Sequence, residues 1–221
     1  MRTIIAIACL GLLMWVEPAG AQKTYTLSVS HHRTIELSDD EVKRILAAAS
    51  NMLKDAECDV TFKLQGPVKP FASVHTPKII KTKAHRDAVH RENSDIKVVE
   101  AIHYCRGSLG KDFNGCAWPP QAGGRPVSII VVRPENTRGF SHILWAHEFG
   151  HRTGLRHRND PLALMTCGPG KDQAKVSRDE CGCLLRGPER RCRRSDPDPS
   201  CKSRCDHRPN RPDPDPSCPL P

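Results

Sequence analysis

The chain has 221 residues, a formal net charge of +9 and 5% aromatic residues. Beyond the first 21 residues, no stretch approaches the roughly 20 apolar residues that a membrane-spanning helix needs, which argues against a later membrane span. The low aromatic content gives little support to nucleic-acid binding, because single strands are held largely by stacking of bases on aromatic rings.

The first 21 residues have the layout of a secretory signal peptide. Arg2 is followed by an uncharged apolar run over residues 3–16, and Glu17-Pro18 ends that run. Ala19 and Ala21 supply small residues before a cleavage site, so we expect cleavage before Gln22 and export of the remaining 200 residues. The alternative is a retained membrane anchor, for which the apolar run is short.

The cysteine content is typical of an exported chain. Eleven cysteines are present, and Cys9 belongs to the predicted signal peptide, so ten remain. An even number in an exported chain predicts disulfides, although a cysteine zinc site stays an alternative. The candidate bridges join Cys105 to Cys116, Cys167 to Cys181 or Cys183, and Cys58 to a cysteine that is left over.

The first half of the chain predicts several strands and one helix. Residues 25–29 alternate between apolar and polar side chains, as in a half-buried strand. Ser38 and Glu41 form a capping-box pattern ahead of an apolar face with helical spacing. Further strands are expected at 59–64, 96–102 and 126–132, and the polar stretch 75–95 is expected to be a surface loop.

The second half predicts two helices. The first has Ser141 as its N-cap and stops at Gly154, and the second begins with a capping box of Ser177 and Glu180 and ends near Arg186. The order strand, helix, strands, helix, loop, helix predicts an α/β domain over residues 22–186, with the helix after Ser141 lying beneath the sheet.

Residues 187–221 differ in composition from the rest. They contain nine prolines, four cysteines and a repeated Asp-Pro-Asp-Pro-Ser-Cys segment, so we expect an irregular tail without a core of its own. A cluster of arginines surrounds Cys192. These arginines, Arg190, Arg191, Arg193 and Arg194, are either part of a solvated linker or a contact for an anionic glycan or surface.

Residues 146–157 read AHEFGHRTGLRH and predict a metal site. His147 and His151 are four residues apart, so both imidazoles lie on one helix face and can bind one ion. Glu148 lies between them in sequence and is suited to take a proton from a bound water. Gly154 allows a sharp turn that returns His157 as a third ligand. Three protein ligands leave a fourth position open, which is typical of catalytic zinc.

The longer stretch over residues 147–165, HEFGHRTGLRHRNDPLALM, resembles the zinc-binding region of metzincin metallopeptidases, and most closely that of the matrixin branch. The resemblance implies that His147, His151 and His157 are zinc ligands. It also implies that Glu148 is the general base and that Met165 forms the floor beneath the metal in a Met-turn. The implied fold has a mixed, twisted sheet with an edge strand over the active-site helix and a small C-terminal subdomain with a final helix.

The preceding segment GCAWPPQAGGRPVSIIVV is similar to the matrixin segment that forms the upper edge of the cleft. By this resemblance an edge strand would pair with an extended peptide substrate. Its residues would be Asn114, Gly115, Cys116, Ala117 and Trp118. Trp118 is equally suited to a place in the core.

Three positions depart from the matrixin pattern and limit what the resemblance implies. Arg158 replaces a small residue after the third histidine, and Thr166-Cys167 replaces the usual Tyr-Pro, so substrate preference does not carry over. The histidines of the family's structural zinc are missing, so we expect one catalytic Zn²⁺. His85, Asp87 and His90 are a candidate for a substitute second site, but a solvated loop is the favoured interpretation.

The resemblance implies a secreted zinc-dependent endopeptidase that acts on proteins or peptides. We expect it to be a monomer without a nucleic-acid partner or a retained membrane anchor. The alternative is a zinc-stabilised extracellular binding module that uses the basic tail on anionic partners, although such a module would not need Glu148.

Overall fold

The computed structural model describes residues 22–105, 108–117, 128–137, 139–158, 160, 162–166 and 175–188. The predicted signal peptide, Trp118, the start of the strand expected at 126–132, Cys167 and residues 189–221 lie outside the described residues. Within the described part, no helix is long and apolar enough to cross a bilayer.

The described residues form strands and helices in alternating groups. The strands are β1 Lys23–Leu27, β2 Val29–His31, β3 Val60–Leu64, β4 Lys69–Pro70, β5 Ile79–Ile80, β6 Ile96–Val99, β7 Ala101–Cys105, β8 Ser108–Phe113, β9 Gly115–Ala117 and β10 Ile129–Val132. The helices are α1 Asp39–Asp55, α2 Lys83–His90, α3 Ser141–Arg152 and α4 Arg178–Arg186, and a short 3-10 turn at Pro134–Thr137 precedes α3.

The central sheet is mixed and has the strand order β4-β2-β6-β10-β9. Its first four strands run parallel, and β9 pairs antiparallel with β10 at the edge. Two smaller groups pair β1 with β3 in parallel and place β7 between β5 and β8. Helix α3 packs against both β9 and β10. The predicted α/β class, with a mixed sheet and an edge strand next to the motif helix, is confirmed.

An aromatic cluster joins α3 to the first strands of the chain. The ring centroid of Phe149 lies 4.7 Å from that of Tyr25 on β1 and 4.9 Å from that of Phe62 on β3. The Tyr25 hydroxyl also donates a hydrogen bond of 2.6 Å to the Leu184 carbonyl on α4. Tyr25 therefore contributes to the core through its ring and holds the last helix through its hydroxyl.

The helix starts agree with the sequence in part. Ser38 caps α1 by accepting a hydrogen bond from the Glu41 amide, and Ser177 and Glu180 form the complete predicted capping box at α4. The prediction of Ser141 as an N-cap is wrong, because Ser141 is the first residue of α3 and the cap position belongs to Phe140. The Ser141 hydroxyl is hydrogen-bonded to that of Thr137 in the preceding turn.

The expectation of a surface loop at 75–95 is also wrong, because this stretch contains β5 and α2. Thr82 caps α2 by accepting a hydrogen bond from the His85 amide. The buried residues of α2 are Arg86 and Val89. The helix has eight residues, and Val89 is its one buried apolar residue, so its apolar face is too small to stand out in the sequence.

Two stretches that were expected to be continuous strands are each divided between two sheets. The strand expected at 25–29 breaks at Ser28, and the one expected at 96–102 breaks at Glu100. The Ser28 amide and hydroxyl both donate to Asp95 Oδ2, at 2.9 and 2.7 Å. This side-chain interaction replaces strand pairing at the break.

Two disulfides have both partners in the described residues. Cys105–Cys116 joins β7 to the edge strand β9 and confirms the predicted bridge. Cys58–Cys181 joins the end of α1 to α4 and excludes Cys181 as a partner of Cys167. Cys183 is also disulfide-bonded. The Cys58–Cys181 bridge closes a loop across 123 positions, so it restricts the unfolded chain strongly.

The C-terminal turn of α3 is held by an ion pair to the start of β6. An Arg152 Nη atom lies 2.7 Å from Asp95 Oδ1, and both side chains are mostly buried. Burial raises the pKa of Asp95, but hydrogen bonds from Ser28 and the charge of Arg152 outweigh this and hold the pKa below its usual value. The ion pair therefore persists at neutral pH.

Lys97 is a buried cation in the central strand β6. Its side chain is 1% exposed, and its Nζ donates to the Ser94 carbonyl. Burial lowers the pKa of Lys97 from 10.5 to about 8, while the charges of Asp95 and Glu92 raise it and that of Arg152 lowers it. At pH 7 the folded protein therefore holds a charge in an unfavourable environment.

We predict that Lys97→Met raises the free energy of unfolding at pH 7 by about 1 to 3 kcal/mol, because it removes the cost of this buried charge. The wild type should gain stability between pH 8 and 10, where the unfolded chain keeps a proton that the folded protein releases. Lys97→Met should lack this gain. Urea unfolding at pH 7 and 9.5 measures both effects.

Lys63→Met is the matched control for this comparison, because Lys63 is exposed on β3. It should leave both the stability and its pH dependence close to those of the wild type. A Lys97→Met protein that is less stable than the wild type at pH 7 would contradict the prediction.

Candidate metal centre

Helix α3 ends in a glycine turn that returns the chain toward the last turn of the helix. Gly154 has a φ of 98°, a conformation that a residue with a Cβ adopts only at a cost. The Gly154 amide donates to the His151 carbonyl and the Leu155 amide donates to the Gly150 carbonyl, each at 3.0 Å. These two bonds form a Schellman motif, as expected for a helix that stops at this glycine.

The turn brings three imidazoles together. The Nε2 atom of His157 lies 2.9 Å from that of His151 and 3.3 Å from that of His147. His147 and His151 are 1% and 8% exposed, and His157 is partly buried. Among the described residues, these three are the one group of histidine, cysteine or acidic side chains that is close enough to share a metal ion.

Backbone carbonyls set the orientation of the two helical histidines. His147 Nδ1 donates to the Leu164 carbonyl at 2.6 Å, and His151 Nδ1 donates to the Leu155 carbonyl at 2.9 Å. A proton fixed on Nδ1 leaves the Nε2 lone pair available as a ligand. Burial and the nearby His157 lower the pKa of His147 to about 3, against the effect of the Leu164 carbonyl, so its ring is neutral at pH 7.

Met165 lies directly against α3. It is fully buried, and a Cβ added at Gly150 would lie 2.4 Å from its sulfur. Since the preceding residue, Leu164, accepts the hydrogen bond from His147, the segment that carries Met165 also orients a histidine. The structure thus places Met165 against α3 at Gly150, the residue before His151, and its part in a Met-turn stays a prediction.

Glu148 packs against the edge strand β9. A Cβ added at Gly115 would lie 2.2 Å from Glu148 Oε1, 2.5 Å from its Cδ and 2.6 Å from its Cγ. Glu148 is 5% exposed, so its side chain has little room to move away. Gly115 is therefore required where it stands, a role that the sequence analysis missed. Its signal was an isolated glycine in a predicted strand, which often marks a close approach of the backbone.

The predicted edge strand at 114–118 is observed over Gly115–Ala117. The Asn114 carbonyl accepts a hydrogen bond from the Val132 amide, and Cys116 and Ala117 are buried. Trp118 lies outside the described residues. Cys116 follows Gly115, the residue that contacts Glu148, and its disulfide with Cys105 fixes the strand at this point.

Arg158, which departs from the matrixin pattern, connects three parts of the site. Its amide donates to the Met165 carbonyl at 2.7 Å, and it forms an isolated bridge with Thr166. Its guanidinium donates to Glu180 Oε2 on α4 at 2.8 Å. The capping box predicted at Glu180 accounts for its contacts with Ser177, but the ion pair between Glu180 and Arg158 was not predicted.

His85, Asp87 and His90 lie on α2 and do not form a metal site. His90 Nδ1 lies 2.6 Å from the Ser128 hydroxyl, and Asp87 forms ion pairs with Lys83 and Arg86. Burial lowers the pKa of His90 to about 3, assisted by the charges of Lys97 and Arg86. The solvated loop favoured from the sequence is thus replaced by a helix with structural contacts.

No protein-family model and no curated protein matches the chain. Among solved structures, it is similar to an archaemetzincin from Methanopyrus kandleri, with 17% identity, 78% of this chain and 99% of that chain covered, and a TM-score of 0.46. It is also similar to metalloproteinase-II from Bacteroides fragilis, with 17% identity, 74% of this chain and 52% of that chain covered, and a TM-score of 0.48. At these values the similarities carry no assignment of family or activity.

We predict that Gly115→Ala displaces Glu148 and lowers any hydrolytic activity that depends on this carboxylate by at least about tenfold, because a one-ångström error in a catalytic group costs about that much or more. Zinc affinity should be unchanged, since the three atoms nearest to the new methyl group all belong to Glu148. Peptide hydrolysis and a zinc titration with a chromogenic chelator measure the two effects separately.

Gly182→Ala in α4 is the matched control, because a Cβ there meets no atom within 4 Å. It should keep both activity and zinc affinity. Full activity in Gly115→Ala would show that the Glu148 carboxylate tolerates displacement or is not used.

Proposed function

We propose that the protein is a secreted zinc-dependent endopeptidase. The observation that carries the proposal is the convergence of the three Nε2 atoms, together with a glutamate, Glu148, that follows His147 on α3 and packs against the edge strand. A structural zinc site uses four protein ligands, whereas a set of three histidines leaves a position for water or substrate.

The residues present fit a zinc ion. The rings of His147 and His151 present Nε2 because backbone carbonyls accept from Nδ1, and the low pKa of His147 keeps its lone pair free of a proton. His147, His151 and His157 would hold the ion. Zinc bound there would supply a Lewis acid for the scissile carbonyl and would lower the pKa of water toward about 7.

Glu148 would act as the general base. It would take the proton from the attacking water and pass the proton to the leaving amine. Its low exposure strengthens its electrostatic interactions, and its contact with Gly115 restricts the carboxylate to a narrow range of positions. A module that binds zinc only for stability would not need a carboxylate held in this way.

The edge strand Gly115–Ala117 would bind the substrate. It is the terminal strand of the central sheet as described, and an extended peptide can add to such an edge through backbone hydrogen bonds. A backbone amide of this strand would also stabilise the developing oxyanion. This mode selects an extended protein or peptide segment rather than a small molecule.

We test the proposal with the full chain, expressed for export, and with Glu148→Gln. Glu148→Gln should lower hydrolysis of casein and of a mixed peptide library by about 10²- to 10⁴-fold, because a general base contributes that much. It should still bind zinc through the histidines. A chelator should abolish the wild-type activity.

Glu36→Gln is the control, since Glu36 is exposed and outside the site, and it should behave as the wild type. Activity that survives both Glu148→Gln and the chelator would end the proposal. A wild type that binds zinc, cleaves nothing and is retained on heparin through Arg190, Arg191, Arg193 and Arg194 would favour the binding-module alternative.

A further inference from the structure

The three histidines are not supported equally by the fold. His147 and His151 belong to α3, so the helical backbone fixes their separation. His157 follows the Schellman turn on a segment without helix or strand. Its position therefore depends on what holds the chain on either side of it.

Arg158 holds the chain on the C-terminal side of His157. Its amide joins the backbone to Met165, and its guanidinium reaches Glu180, whose side chain is 5% exposed. Arg156, on the other side of His157, is exposed. The two arginines that flank the third histidine thus differ in their contacts.

Glu180 is well placed to resist movement of Arg158. The same Oε2 atom accepts a hydrogen bond from the Ser177 amide at 2.8 Å and from Arg158 at 2.8 Å. The next residue, Cys181, is bonded to Cys58 at the end of α1. The Tyr25 hydroxyl holds the Leu184 carbonyl on the same helix. Helix α4 is therefore fastened to the core at two further points.

We propose that Arg158 and Glu180 are positioning residues that fix His157 and so connect the C-terminal helix to the affinity of the metal site. The inference rests on the zinc-binding part of the proposed function and not on peptidase activity. Neither residue belongs to the group of side chains that is close enough to share a metal ion. Arg158 acts through the backbone that joins it to the adjacent His157, and Glu180 acts through Arg158.

The expected size of the effect follows from the behaviour of groups that orient metal ligands, whose loss typically costs about 10- to 100-fold in metal affinity. Removing the guanidinium leaves the Arg158 amide bonded to Met165, so the segment should loosen rather than detach. We therefore expect the zinc affinity to fall about tenfold, which is the lower end of this range.

The experiment compares Arg158→Gln, Glu180→Gln and the double variant in zinc affinity, by competition with a chromogenic chelator on the full chain. Glu180→Gln keeps an acceptor for the Ser177 amide, because glutamine also serves in a capping box, and it removes only the charge. Each single variant should bind zinc about tenfold more weakly. The double variant should be no weaker than the weaker single variant, since both changes break the same contact.

Two further variants separate positioning from general damage to the fold. Arg158→Lys keeps the charge and should recover most of the affinity. Arg156→Gln removes the same charge from the other side of His157 and should bind zinc as the wild type does. The absorption spectrum of the Co²⁺-loaded protein should change in Arg158→Gln and Glu180→Gln, because a displaced ligand alters the coordination geometry, and should not change in Arg156→Gln.

An unchanged zinc affinity and Co²⁺ spectrum in Arg158→Gln would overturn the proposal, as would equal losses in Arg156→Gln or fully multiplicative losses in the double variant. If Arg158→Gln does not fold, Glu180→Gln carries the test, because it breaks the same ion pair from the other side, and an unchanged zinc affinity and Co²⁺ spectrum in that variant would overturn the proposal. A wild type that binds zinc without hydrolysing peptides would refute the proposed function and leave this inference intact. A wild type that does not bind zinc would refute both.

Discussion

The site depends on one arrangement of hydrogen bonds, in which backbone carbonyls hold the Nδ1 protons of two buried imidazoles. Leu164 does this for His147 and Leu155 does it for His151. Without a fixed acceptor, a neutral imidazole can exchange its tautomer and turn its protonated nitrogen toward the ion. The helix turn and the segment before Met165 are therefore parts of the candidate metal centre, although neither contains one of the three histidines.

The rest of the domain keeps these carbonyls and the edge strand at fixed distances from α3. The aromatic contacts of Phe149 hold the helix against β1 and β3, and Arg152 holds its C-terminal turn at Asp95. Two disulfides within the described residues hold the elements on either side of the helix. Cys105–Cys116 joins β7 to the edge strand, and Cys58–Cys181 joins the segment after α1 to α4. These contacts hold the motif helix and the elements that pack against it, where small displacements would matter most for the proposed catalysis.

The sequence predicted the parts of this molecule that local patterns encode. The histidine spacing and Gly154 predicted a convergent triad, and Ser177 with Glu180 predicted the start of α4, because both depend on residues within one or two turns. Helix α2 was missed because its buried surface includes the charged Arg86, which is paired with Asp87 and lies over the ring of Tyr104. A helix of eight residues with one buried apolar side chain leaves only a short pattern in the sequence.

Contacts between residues far apart in the sequence were not predicted. The breaks at Ser28 and Glu100 divide stretches that look continuous, because strand pairing is decided by partners far away in the chain. For the same reason the ion pair between Arg158 and Glu180 was not predicted. The sequence showed Arg158 only as a departure from the matrixin pattern and Glu180 only as part of a capping box.

Leu155 contributes to this site through its backbone amide and carbonyl. Its amide closes α3 on the Gly150 carbonyl, and its carbonyl holds the proton of His151, so two functions come from one residue without its side chain. Most amino acids can supply both groups, but proline lacks the N–H. These two backbone groups therefore exclude only proline from this position, and any preference among the other side chains comes from the packing of Leu155 against the core.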